Sequence, residues 1–185
     1  DEANMPFAVG GGIRTIEGIK QVINAGAEKV VINSYAVENP NFIKEASNVF
    51  GSSTIVVSID VKKKVFGKKQ IYTQGGSKST GLDPIAFAKQ MEKNGAGEII
   101  INSIEQDGTM LGYDLDLIES ISSTVTVPVV AAGGAANMND FKLAVSSFAS
   151  AVAAGSMFVY HGARKAVLIN YPPLSEIKRL FKWEY

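Results

Sequence analysis

The chain has 185 residues, 46% apolar and 19% charged, and its 18 basic and 18 acidic side chains leave no net charge. That composition suits a globular domain with a real core, and neutrality removes the broad electrostatic case for nucleic acid or an anionic membrane. With no cysteine and a single histidine, His161, disulfides, thiol nucleophiles, histidine triads and zinc clusters are excluded, no metal or cofactor is expected, and acid–base chemistry falls to carboxylates, lysine or tyrosine.

The predicted elements alternate along the chain. A strand over Phe7–Val9 is followed by a helix over Thr15–Ala25, a strand over Lys29–Asn33 and a helix over Asn41–Phe50. A strand over Ile55–Asp60 leads into Lys62–Gly81, which reads as an inserted β-hairpin (Val65-Phe66, Gly67-Lys68-Lys69, Gln70–Thr73) with a glycine-rich tail. A connection of that length is more often functional than idle. Then come a helix over Asp83–Asn94, a strand over Glu98–Ser103 and a helix over Leu115–Ser123. A strand over Val127–Ala132, a helix over Asn139–Ser147, a strand over Ala151–Gly155 and a helix over Leu174–Phe181 complete the series. Thr15 with Gly18, and Asp83-Pro84, mark helix starts; Ala25-Gly26 and Asn94-Gly95 mark stops. The pattern is a parallel sheet wrapped by helices, in a single domain over residues 1–185.

The longest apolar stretch, near Phe148–Tyr160, is broken by Gly155 and serines. It falls short of the about 20 residues that span a bilayer. No signal peptide is visible, and a cytoplasmic setting is expected. The opening Asp1-Glu2-Ala3-Asn4, without an initiator Met, reads as the middle of a longer sequence.

Two 30-residue segments, Met5–Ser34 and Val127–Ser156, align without gaps. They share Pro6/Pro128, Gly11/Gly133, Gly12/Gly134, Lys20/Lys142, Ala27/Ala149, Val30/Val152 and Ser34/Ser156. In both, the glycine pair ends the first strand and the serine follows the second. This reads as a duplicated β-α-β unit. The copies lie four units apart, which is diametrically opposite in an eight-fold barrel, so the expected fold is a (β/α)8 TIM barrel represented by six of its eight units. Two units, about 60–70 residues, are then expected ahead of Asp1.

Barrel chemistry sits at strand C-termini. Gly10-Gly11-Gly12 and Asn33-Ser34 can present backbone and side-chain donors to an anion, and Gly133-Gly134 with Gly155-Ser156 can do the same on the far side. The competing reading is tight turns that need φ > 0. Two facing phosphate sites imply a substrate with a phosphate at each end. Asp60, at a strand tip, and Asp107, in Glu105-Gln106-Asp107-Gly108-Thr109, are candidate catalytic acids. The alternatives are a cap for Asp60 and an Asp-Gly turn for Asp107. Arg14 and Thr15 either hold the first turn or touch a phosphate. The lysines of 62–64 and 68–69 read as solvated, and His161 as a bystander. Lys29 and Glu98 start apolar strands at the opposite ends, which pattern alone reads as polar flanking.

Several motifs together are specific. They are Val9-Gly10-Gly11-Gly12-Ile13-Arg14-Thr15, Val37-Glu38-Asn39-Pro40, Gly95-Ala96-Gly97-Glu98-Ile99, Asp107-Gly108-Thr109-Met110-Leu111-Gly112-Tyr113-Asp114 and Ala132-Gly133-Gly134-Ala135. From Met5 to about Phe158 the chain resembles the cyclase subunit of imidazole glycerol phosphate synthase, the HisF family. The resemblance implies a lyase of histidine biosynthesis. Such an enzyme adds ammonia to a bisphosphate formimino ribotide, closes the imidazole ring and releases aminoimidazole carboxamide ribotide. It also implies a glutaminase partner at the N-terminal barrel face, with Glu28 at that interface, and ammonia delivery through the barrel. By motif, Asp60 corresponds to a catalytic Asp, and Asp107 to one that helps position substrate. Gly12, Asn33 and Ser34 match one phosphate site and Gly134, Gly155 and Ser156 the other, beside Gly11 and Gly133. Lys29 and Glu98 match members of a charged ammonia gate.

There are departures. The family's other catalytic Asp lies on the first strand, which this sequence does not contain, so the polypeptide alone is expected to be inactive. Glu105 stands where Asp is usual, and Asn102 where Thr is common. The ending Phe158-Val159-Tyr160 and Ala166–Pro172 looks more like paralogues that work with amidotransferases in surface-polysaccharide amidation. The alternatives are therefore that paralogue, the sister isomerase of the pathway, against which the hairpin and the Asp-Gly-Thr signature speak, and a non-catalytic phosphate-binding barrel fragment. No nucleic-acid or membrane partner is expected.

Overall fold

A computed structural model describes residues 5–64, 67–162 and 166–181. In chain order the elements are β1 (Ala8–Gly10), α1 (Ile16–Asn24), β2 (Lys29–Ile32), α2 (Ser34–Glu38), α3 (Asn41–Phe50) and, after a 3-10 turn at Ser52–Thr54, β3 (Ile55–Lys63). Then follow β4 (Lys69–Thr73), β5 (Lys78–Ser79), α4 (Pro84–Lys93), β6 (Glu98–Ser103), α5 (Leu115–Ser122), β7 (Val129–Ala132) and α6 (Met138–Ser146). The last are β8 (Ala151–Val152), α7 (Ser156–Val159), β9 (Tyr160–His161), β10 (Ala166–Val167) and α8 (Leu174–Phe181).

Six strands pair in parallel in the order β1-β2-β3-β6-β7-β8. With the helices between them they form a partial (β/α)8 barrel. Alternation along each strand assigns its faces. Ile55, Val57, Ile59 and Val61 of β3, with Ile99 and Ile101 of β6, join the main core against the helices. Ser58, Asp60 and Asn102 fall on the opposite, inner face and are only half buried. A second cluster under β7 and β8 is built on Tyr113, Ile118, Ala131, Phe141 and Ala144.

The helix starts follow their capping residues. The Thr15 hydroxyl accepts from the Gly18 N–H at 3.0 Å, and Asp83 accepts from the Ala86 N–H at 2.8 Å ahead of Pro84. Asn137 and Asp140 close a reciprocal capping box on α6. Thr15 therefore holds the turn.

The duplication is present in the backbone. Adding 122 to residues 16–24 of α1 gives 138–146, the span of α6, and the caps Thr15 and Asn137 correspond in the same way. Individual hydrogen bonds repeat too. Glu28 N–H donates to Phe7 O as Ser150 N–H does to Val129 O, and Ala27 to Val22 as Ala149 to Ala144. β1 and β7 stand four places apart in the sheet order, as the sequence predicts.

Four expectations need correction. β3 does not end at Asp60 but runs to Lys63, because it continues as an antiparallel pair with β4, with Asp60 opposite Tyr72. The acid is a mid-strand residue, so the capping alternative falls. The insertion is three-stranded, since β5 pairs with β4; its Val65-Phe66 lies outside the described residues. β8 stops at Val152 rather than Gly155, because its ladder to β7 ends with Ala131↔Val152 and the chain then turns into α7. The lysines of the insertion are not all merely solvated: Lys69 pairs with Asp114 at 2.6 Å.

After the first helix of each copy the backbone turns left-handed, at Gly26 (φ 104) and at Phe148 (φ 68). Phe148 is 64% exposed, so its ring recovers little by burial, and a side chain at that φ costs about 1–2 kcal/mol. Phe148→Gly is expected to raise stability by about 0.5–1 kcal/mol in urea unfolding, glycine's extra unfolded-state entropy offsetting part of the gain. A lower midpoint would contradict this.

Glu92 on α4 accepts from the Thr126 hydroxyl (2.7 Å), the Thr126 N–H (2.6 Å) and the Val127 N–H (3.2 Å), pinning the approach to β7. These bonds, that of the Thr126 hydroxyl foremost, hold its carboxyl below the ordinary value of 4.5. A depressed folded pKa stabilises in full above the unfolded value, and the contribution is lost as pH falls through the folded value. Glu92→Gln should therefore lower stability at pH 7, and its deficit should shrink below about pH 4. A deficit independent of pH would contradict the assignment.

Candidate functional site

The first copy and β3 build one half of the site. β1 ends in a turn whose Gly11 (φ 113) and Gly12 (φ 68) both need positive φ. Asn33 and Ser34 open α2. These four line a cavity of about 400 Å³ together with Asp60, Arg14, Gln74 and Gly75. The Gln74 N–H donates to the Ser34 hydroxyl at 3.1 Å, which brings the tip of the insertion to the wall. An accepting hydroxyl keeps its own proton free to donate. Arg14 pairs with Glu38 at 3.2 Å and lies 5.5 Å from the Tyr35 ring centre.

The second copy builds the other half. Gly133 (φ 84) and Gly134 (φ 112) repeat the turn, whereas Gly155 has φ -114 and needs no left-handed freedom. With Ser156 and Asp107 they surround a space of only about 20 Å³, room for about one water. Asp107 is an exposed turn residue whose N–H donates to Ser103 O at 2.9 Å, followed by Gly108 at φ 75. It is thus both the Asp-Gly turn and part of the wall.

The stretch from Asp107 to Asp114 lashes this half together. The Gly112 N–H donates to Gly134 O at 2.8 Å and the Tyr113 hydroxyl to Ala153 O at 2.9 Å. Burial, reinforced by the charge of Asp140, pushes the Tyr113 phenol up, so it remains a donor. Asp114 caps α5 through the Leu117 N–H and pairs with Lys69.

β6 is the seam between the halves. Asn102 lies beside Asp60 in the β3–β6 register, and its Nδ2 donates to Asp60 Oδ1 at 3.1 Å. A Cβ at residue 133 would come within 2.7 Å of Asn102 Oδ1, so glycine there lets the amide lie against the turn. Lys62, two residues after Asp60 on the same face, places its ammonium 5.9 Å from the Tyr72 ring centre. At the other end of the inner face Lys29 and Glu98 form an ion pair at 2.5 Å. β2 and β6 flank β3, so the pair reaches across β3 on the face of Val56, which is fully buried. Polar flanking is not what these two residues do; they meet.

The structure therefore divides the sequence candidates into two groups, Gly11, Gly12, Asn33, Ser34 and Asp60 in one cavity and Gly133, Gly134, Gly155, Ser156 and Asp107 in the other. Sequence reasoning missed Gln74 and Gly75 of the first cavity. Their signal is the glycine-rich end of the insertion, which is a wall of the cavity rather than a tail. Among the described residues no group of three or more His, Asp or Glu is placed to hold a metal, and no helix is long and apolar enough to cross a membrane.

Residues 1–164 match the family described as histidine biosynthesis protein. Imidazole glycerol phosphate synthase subunit HisF of Petrotoga mobilis is 48% identical over 160 residues, 86% of this chain and 64% of its own length. The subunit of the same name from Oceanobacillus iheyensis is 44% identical over 176 residues, 95% of this chain and 69% of its own. A protein of Leptospira interrogans is 39% identical over 183 residues, 98% of this chain and 72% of its own. The chain thus spans about two thirds of the length of these relatives.

The paired glycines supply a stability test. A Cβ at residue 134 would collide with the Gly112 carbonyl oxygen, whereas one at residue 12 meets nothing within 4 Å. Gly12→Ala is expected to cost about 1 kcal/mol, the price of φ alone. Gly134→Ala is expected to cost about 3 kcal/mol or more, because the turn must also move and its hydrogen bond break. Equal losses in chemical unfolding would contradict the close approach at Gly134.

Proposed function

The chain belongs to the HisF family of histidine biosynthesis proteins, and from that membership we propose that it is the ammonia-using cyclase and lyase subunit of an imidazole glycerol phosphate synthase. The observation that carries the reading is the pair of glycine turns 122 residues apart, on opposite sides of Asp60 and Asn102 in the sheet. Peptide N–H groups of positive-φ glycine turns, with a serine hydroxyl beside each, are suited to phosphate. The site takes a bisphosphate formimino ribotide with one phosphate at Gly11, Gly12, Asn33 and Ser34. The other lies at Gly133, Gly134, Gly155 and Ser156. The roomy first half receives its end without rearrangement; the second, with room for about one water, must widen to seat a phosphate.

Between them Asp60 moves the protons of ring closure as general acid or base. Asn102, donating to one carboxylate oxygen, fixes its orientation and leaves the other toward the substrate. Asp107 positions the substrate from the second wall. Ammonia enters from the N-terminal end of the inner face, where the Lys29–Glu98 pair is the gate. A glutaminase docked at that face, with Glu28 at the contact, supplies it within a cytoplasmic complex. The products are imidazole glycerol phosphate and aminoimidazole carboxamide ribotide.

A second reading rests on the C-terminal sequence alone: Phe158-Val159-Tyr160 and Ala166–Pro172 look more like a paralogous ammonia-using subunit of surface-polysaccharide amidation, which would use the same anion turns and the same acid.

In the complete protein Asp60→Asn is expected to reduce ammonia-dependent turnover by about 1,000-fold or more, while the affinity for the bisphosphate stays within about tenfold. Steady-state kinetics with an ammonium salt, together with calorimetric titration, measure both. Equal loss of binding would make Asp60 a structural residue, and undiminished turnover would remove it from the chemistry.

A further inference from the structure

A third cavity, of about 410 Å³, opens beside the second glycine turn and shares Met110 with it. Its far wall is the C-terminal segment, outside the family match, which ends at residue 164. The wall is fastened in place. Leu168 N–H donates to Val159 O and Asn170 N–H to Phe158 O, each at 2.9 Å, and the Tyr171 ring stacks on Phe158 with centroids 4.4 Å apart.

The lining specifies the ligand. Phe158, Tyr160 and Tyr171 offer aromatic surface, and His161, Asn170 and Glu176 offer polar atoms. Among the described lining residues Glu176 alone carries a full charge, and it is negative. A carboxylate accepts hydrogen bonds from hydroxyls and repels phosphate. Aromatic rings pack against the C–H faces of a saturated ring, and a volume of this size suits a small-molecule ring. The cavity thus favours an uncharged, hydroxyl-bearing group, and it adjoins the turn to which the proposed function assigns a phosphate.

We propose that this cavity binds the uncharged, hydroxyl-bearing ring of a sugar phosphate whose phosphate occupies the turn at Gly133, Gly134, Gly155 and Ser156, so that the C-terminal segment sets which phosphorylated substrate is accepted. The inference rests on the anion-binding reading of that turn. His161, a bystander by sequence, becomes part of the specificity wall.

The test is calorimetric titration of the full chain with inorganic phosphate, glucose 1-phosphate and glucose 6-phosphate. At least one hexose phosphate is expected to bind about tenfold more tightly than inorganic phosphate. Tyr171→Ala should abolish that preference and leave the Kd for inorganic phosphate unchanged, and Tyr171→Phe should keep it. Glu176→Ala, away from the ring stack, should also reduce the preference. Hexose phosphates no tighter than inorganic phosphate, or a preference that survives both Tyr171→Ala and Glu176→Ala, would overturn the proposal. A chain that binds none of the three probes overturns the anion-turn reading, and the proposal with it.

Discussion

The parallel ladder between β3 and β6, from Val56↔Glu98 to Val61↔Ser103, is the constraint on which the rest depends. It joins the two repeated halves and sets what each face of the sheet carries. Strand side chains alternate, so a slip of one residue would turn Asp60 into the helix-facing core and expose Ile59. An unpartnered carboxylate in that core would cost several kcal/mol. The fully buried Ile55, Val57 and Ile59 fix the register from one side. On the other side the same register brings Asn102 to Asp60 and places Glu98 within reach of Lys29.

Around this seam one backbone is used twice with different side chains. The first turn faces an open cavity, bounded by the insertion through Gln74 and Ser34. The second is drawn tight by Gly112 and Tyr113, which bind it to the ends of β7 and β8. On the proposed reading, the shared backbone recognises the feature that the two ends of the substrate have in common. The unshared side chains tell those ends apart. The C-terminal segment enlarges the difference, because it adds an aromatic wall next to the second turn alone.

Much of this was legible in the sequence, for physical reasons. The run Glu98–Ser103 is bounded by polar residues and rich in isoleucine, and the strand has those limits. The repeat was visible because its identities fall where substitution is hardest. Gly11, Gly12, Gly133 and Gly134 hold positive φ, and Ala27 and Ala149 are each only 5% exposed. The rest was hidden for equally definite reasons. α2 and α7 are too short to show a helical period. The end of β3 is Lys62-Lys63, charged residues that look like loop until the antiparallel partner is seen. The Lys29–Glu98 pair joins residues 69 apart in sequence, and no local pattern encodes that meeting. Asn102 was noticeable as an unusual residue type, but its bond to Asp60 depends on the ladder.

The central claim is that both glycine turns hold one doubly anionic molecule. It is tested most directly by titrating the 15N-labelled chain with ribulose 1,5-bisphosphate and following backbone amides. The account predicts that the amides of Gly11, Gly12 and Ser34 shift together with those of Gly133, Gly134 and Ser156, along one saturation curve at one ligand per chain. Shifts at one turn only, or two turns that saturate independently with two ligands per chain, would contradict it.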